Sequence, residues 1–105
     1  MEFDTRSFRD ALGLFVTGVT IITARNEAGV PFGVTANSFN SVSMDPPLIL
    51  WSLSRASRNV TAFSKAEHFC VHILRENQTD LSRHFAMSDI DKFEGMDFEP
   101  GAGGV

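Results

Sequence analysis

The segments "VTIITA" (19–24) and "VPFGVTA" (30–36) are rich in β-branched residues, and "NEAG" (26–29) between them carries the Asn and Gly of a tight turn. This arrangement predicts an antiparallel hairpin, so the architecture must grow around a sheet. After Pro46-Pro47, which interrupts the backbone donors, "LILWSL" (48–53) is a nearly continuous apolar run. It predicts a strand buried on both faces. Phe69, Val71 and Ile73 alternate in a further strand.

Helical signals are fewer. Phe8, Ala11, Leu12 and Phe15 fall at i, i+3, i+4 and i+7, with Asp4 or Thr5 as N-cap and Gly18 as a boundary. Ser57 is placed to cap a short helix over 58–66, in which Val60 and Phe63 are three apart. Thr79 or Asn77 opens another, with Leu81 and Phe85 four apart. About five strands and three helices point to a mainly β chain, a small barrel with peripheral helices.

With 105 residues the chain makes a single domain. Nine basic against thirteen acidic side chains leave a net charge of −4, and no Lys/Arg cluster is present. Phosphate contacts need a basic face, so nucleic-acid binding is disfavoured. No apolar stretch approaches the ~20 residues that span a bilayer. The first residues lack a signal-peptide pattern, and one cysteine, Cys70, permits no intrachain disulfide. These features predict a cytoplasmic protein.

Residues 33–43, "GVTANSFNSVS", hold no charge yet are crowded with Thr35, Asn37, Ser38, Asn40, Ser41 and Ser43. Between Ala28 and Ser54 the only charged side chain is Asp45. Such a run suits contact with a flat polar ligand better than contact with water. A second polar cluster, "SLSRASRN" (52–59), supplies Ser52, Ser54, Ser57, Asn59, Arg55 and Arg58. A helix starting near Ser57 would add unsatisfied N–H groups, and the combination makes a phosphate site. Capping alone also accounts for Ser57, and solvation for the arginines. Neither a Walker loop nor a G-x-G-x-x-G turn occurs in this region.

"FRDALGLFVTGVTIITA", "GVTANSFNSVSMDPPLILWSLSRASRN" and "FCVHILRENQTDLSRHFA", in that order and spacing, resemble the short-chain NAD(P)H:flavin reductases. These are the split-barrel FMN-binding reductases that supply reduced flavin to two-component monooxygenases. The similarity runs from Phe8 to about Phe93. The resemblance implies a split β-barrel, a homodimer, FMN or FAD across the strand ends, and NAD(P)H as electron donor. Carried over, Thr35, Ala36, Asn37 and Ser38 match the stretch lining the isoalloxazine and ribityl. Ser52, Leu53, Ser54, Ser57 and Asn59 match the segment holding the ribityl and phosphate, helped by Arg55 or Arg58. Phe85 matches a position near the flavin. A non-catalytic flavin-binding or storage protein of the same fold is the alternative.

The family continues with further strands bearing a Gly-Asp-His motif near the nicotinamide site, and that motif does not occur here. Residues 1–105 are therefore expected to be the N-terminal portion of the domain, lacking the C-terminal strands.

His68, Cys70 and His72 alternate along one strand face, but a fourth metal ligand is not evident, and a packed thiol on a half-exposed face is the simpler reading. His84 lies beside Phe85, within reach of a ligand or on the helix surface. Phe39 and Trp51 are expected in the core. No catalytic side chain is implied, because the flavin carries the chemistry while the protein positions two rings.

Overall fold

The structure is a computed structural model, describing residues 4–14, 17–87, 92–96 and 98–101. Its elements are α1 (Thr5–Gly13), β1 (Thr20–Arg25), β2 (Pro31–Ala36), β3 (Asn40–Ser43), β4 (Leu48–Leu50), α2 (Val60–Lys65), β5 (Cys70–Ile73) and α3 (Thr79–Ala86). A single 3-10 turn, Glu76–Gln78, leads into α3.

The hairpin forms as the sequence predicts. β1 and β2 pair antiparallel from Thr20 opposite Ala36 to Arg25 opposite Pro31. Asn26 Oδ1 accepts from the Ala28 and Val30 N–H groups at 2.9 and 3.0 Å, and Gly29 takes φ +79°. A side chain at Gly29 would be strained in that left-handed conformation. The Arg25 guanidinium closes the tip by donating to the Gly29 carbonyl at 2.8 Å.

β5 pairs with the other side of β1, giving the order β2-β1-β5, with β2 on an edge. Being central, β1 buries Thr20, Ile21, Ile22 and Ala24. One face of the sheet carries Ile22, Val34 and Ala36, packed by Trp51, Leu53, Phe63 and Val71. Edge-to-face rings tie this layer together, with Phe32–Phe63 centroids at 4.5 Å and Trp51–Phe63 at 5.0 Å. On the opposite face Phe85 of α3 lies over Gly33. A Cβ at Gly33 would come within 3.1 Å of Phe85 Cε1 and 3.0 Å of Thr23 Cγ2. Gly33 is thus what lets α3 approach the strand.

Three expectations are corrected. The 48–53 run forms a strand only over Leu48–Leu50, paired to β3 in a separate two-stranded ribbon. Its three residues are exposed rather than buried, and the strand it pairs with is β3, along one edge. The second helix begins at Val60 instead of residue 58, since Ser54–Asn59 is taken up by turns; Ser57 accepts the Asn59 N–H at 3.2 Å without capping the helix. α1 stops at Gly13, five residues short of Gly18, with Asp4 as its N-cap. Phe15 lies outside the described residues, while Phe8 and Leu12 are exposed.

Candidate functional site

In an antiparallel ladder, alternate residues aim both backbone groups away from the partner strand. The Gly33 carbonyl points off the free edge of β2, where it accepts from Lys92 Nζ at 2.8 Å. Thr35 has the same parity, so its N–H and C=O share that edge. Opposite lies the 52–59 segment, and an open cleft of about 840 Å³ separates the two, closed at one end by the C-terminus of α3.

Eight of the twelve residues named from the sequence line this cleft: Thr35, Ser52, Leu53, Ser54, Ser57, Arg58, Asn59 and Phe85. Residues 33–35 and 52–59 meet there because Ser38 clamps the two segments together. Its hydroxyl accepts the Ser52 N–H at 2.8 Å and donates to the Ser52 carbonyl at 3.4 Å. Ser38 thereby shapes the wall without lining it. Ala36 is buried in the core, and its carbonyl accepts the Thr20 hydroxyl at 2.7 Å. Asn37 and Arg55 are exposed and lie outside the lining.

The remaining hydroxyls are partly committed. Thr35 Oγ1 donates to the Ser82 carbonyl and ties β2 to α3. Ser54 Oγ accepts the Ala56 N–H at 3.2 Å, and the Ser57 N–H donates to the Ser54 carbonyl at 2.9 Å. The segment therefore folds into a compact loop whose hydroxyls keep donor capacity. α2 has six residues, too short for its dipole to weigh much, so anion affinity at this end rests on the hydroxyls and Arg58.

Lys92, Met87 and Phe93 also line the cleft, and the sequence reading missed all three. Lys92 Nζ donates to Gly33 O and to Phe85 O, each at 2.8 Å, stapling the end of α3 to the edge of β2. Burial pulls the Lys92 ammonium below its usual range. His84 Nε2 donates to the Lys92 carbonyl at 2.6 Å, which fixes the backbone there as well. Phe93 packs edge-on against Phe85 with centroids 5.3 Å apart. No local pattern marks Lys92, whose partner Gly33 lies 59 positions away.

On the alternating strand, His72 Nε2 is hydrogen-bonded to Thr23 Oγ1 at 2.8 Å, and among the described residues no group of three or more His, Cys, Asp or Glu side chains gathers. Trp51 packs against the core as expected, and Phe39 is half-buried.

Residues 12–105 match the model of the flavin reductase like domain family. The chain is 48% identical over 102 residues to the FMN reductase (NADH) SmoA of Agrobacterium fabrum, covering 97% of this chain and 58% of that protein. Among solved structures, it resembles a nitrilotriacetate monooxygenase component B homologue from Mycobacterium thermoresistibile, with TM-score 0.87 and 44% identity over 94% of this chain and 55% of that one. The NADH:FAD oxidoreductase SgcE6 of Streptomyces globisporus, in complex with NAD and FAD fragments, superposes with TM-score 0.87 and 33% identity, covering 99% of this chain and 64% of that one. These likenesses identify the fold as that of the flavin reductase split barrels, of which the described residues form an open part. The chain spans about a third to just under three fifths of the first curated relatives it matches.

Proposed function

The chain belongs to the flavin reductase like domain family, and from that premise we propose that the cleft beside β2 binds FMN or FAD, to be reduced by NAD(P)H. The observation that carries this reading is the convergence of the free β2 edge and the 52–59 loop on one cleft.

The residues present fit the cofactor. A flavin ring needs apolar cover on its faces and hydrogen bonds at its pyrimidine edge; Phe85, Leu53 and Val34 supply the first, and the outward Thr35 backbone the second. The ribityl and phosphate need hydroxyl donors and a cation, which Ser52, Ser54, Ser57, Asn59 and Arg58 provide. When bound, the flavin supplies the hydride-accepting chemistry. The chain's own groups bind it, orient it and stabilise the charge it gains.

Supply of reduced flavin to a partner monooxygenase is part of the proposal, supported by the similarity to a protein named as a monooxygenase component. So are homodimerisation and a cytoplasmic setting. No described helix is long and apolar enough to cross a membrane.

Titration of FMN and FAD into the full-length protein, followed by flavin fluorescence, should give saturable quenching. Anaerobic NADH or NADPH should then bleach the bound flavin. Binding without bleaching would favour the storage alternative, and absence of binding would remove the cofactor from this cleft.

A further inference from the structure

We propose that Lys92 makes this cleft favour reduced over oxidised flavin, by holding an ammonium at the ring end of the site. The inference rests on the flavin reading above and adds a residue and a redox preference to it.

The charge layout of the cleft carries the argument. In a chain of net charge −4, no Asp or Glu among the described residues lines the cleft, and the charged side chains among its described lining residues are Arg58 and Lys92. They belong to different segments. Arg58 stands in the hydroxyl-rich 52–59 loop, where a phosphate finds its donors. Lys92 stands beside Gly33, Phe85 and Phe93, where a flat ring finds its cover. A phosphate belongs at the hydroxyl-rich loop, which places Lys92 at the other end of the ligand, beside the ring. Oxidised flavin offers no anionic partner there. On accepting a hydride it gains two electrons and one proton, so the ring system becomes an anion by one charge.

Lys92 is prepared for that charge before it appears. An ammonium has three donors, and two are spent on the Gly33 and Phe85 carbonyls at 2.8 Å each. One N–H remains for a ligand. The two carbonyl acceptors hold the ammonium by hydrogen bonds while burial lowers its pKa, and the His84 bond to the Lys92 carbonyl fixes the backbone from which the side chain extends. A charge pinned in this way stabilises a developing anion without reorganising. A staple serving the fold alone would affect both redox forms of the ligand equally, which provides the test.

Affinities for oxidised and reduced FMN, and the midpoint potential of bound FMN, should be measured anaerobically for the full-length protein and for Lys92→Met, Lys92→Gln and Lys92→Arg. The Met and Gln variants should bind reduced FMN about tenfold more weakly while affinity for oxidised FMN changes less than about threefold. The potential of bound FMN should then fall by roughly 30 mV for tenfold in a two-electron couple. Lys92→Arg, which keeps the charge, should retain the wild-type ratio. Lys92→Gln keeps two donors for the carbonyls, so it decides the matter if Lys92→Met does not fold. Equal weakening of both forms, or an unchanged ratio in a folded neutral variant, would overturn the role of Lys92 and leave the flavin reading standing. A wild-type protein that binds neither form would overturn both.

Discussion

β1 of the three-stranded sheet and β4 of the β3–β4 ribbon both carry branched apolar residues and end in opposite environments. Ile22 in β1 is fully buried, whereas Leu48, Ile49 and Leu50 in β4 are 49%, 44% and 54% exposed. The difference lies in what faces each strand. β1 has strands on both edges, an aromatic layer of Trp51 and Phe63 on one face, and Phe85 on the other side of the sheet. β4 has β3 on one edge alone. Apolar composition therefore states a demand for cover, and only the surrounding elements meet it. The candidate site draws on the first region: its cleft opens beside the well-supported sheet, and none of β3 or β4 lines it.

The sharpest way to break this comparison is to truncate the same residue type in both places. Ile22→Ala should cost about 2–5 kcal/mol, the range for a buried isoleucine that leaves a cavity. Ile49→Ala should cost less than about 1 kcal/mol, since part of its surface already meets water. Urea denaturation of the two variants would decide, and equal losses would mean that the ribbon is buried in solution. Next in size is Gly33→Ala. The new methyl would press on Thr23 Cγ2, the Ile22 carbonyl and Phe85, costing about 1–3 kcal/mol. Thermal melting should show the loss; an unchanged melt would mean that α3 is not seated on β2.

Smaller effects sharpen the boundary of the site. Asn59→Asp places a negative charge among the donors of the 52–59 loop and should weaken FMN by roughly 1–2 kcal/mol. Fluorescence quenching would measure this, and an unaltered affinity would remove Asn59 from the site. Cys70→Ala is expected to change neither flavin affinity nor NADH-dependent turnover. Cys70 lies in β5, away from the cleft, and hydride acceptance by flavin needs no thiol. A selective loss of turnover would contradict this.

What was legible in the sequence was local or periodic. The hairpin could be read because Asn26 and Gly29 determine their own turn, and β1 because β-branched residues crowd a short span. Eight of the residues that line the candidate cleft could be named from the sequence, since two contiguous polar segments supply all of them but Phe85. The burial of 48–53 was not, because an apolar run does not say what will cover it. The start of α2 moved to Val60 because Ser54 and Ser57 bond to the backbone locally and favour turns over helix. Lys92 was illegible for a third reason. Its role depends on carbonyls at Gly33 and Phe85, brought together by sheet edge and helix end, and carbonyls leave no mark in a sequence.

The central claim is that flavin occupies the cleft between the β2 edge, the 52–59 loop and the end of α3. Amide hydrogen exchange with and without saturating FMN tests it most directly, because it reads both regions at once. The account predicts slowed exchange at 33–37, 52–59 and 85–87, with no change at the hairpin tip (26–29) or at Met44 and Asp45 of the β3–β4 turn. Protection confined to the tip or that turn, with the cleft segments unaffected, would place the ligand elsewhere and contradict it.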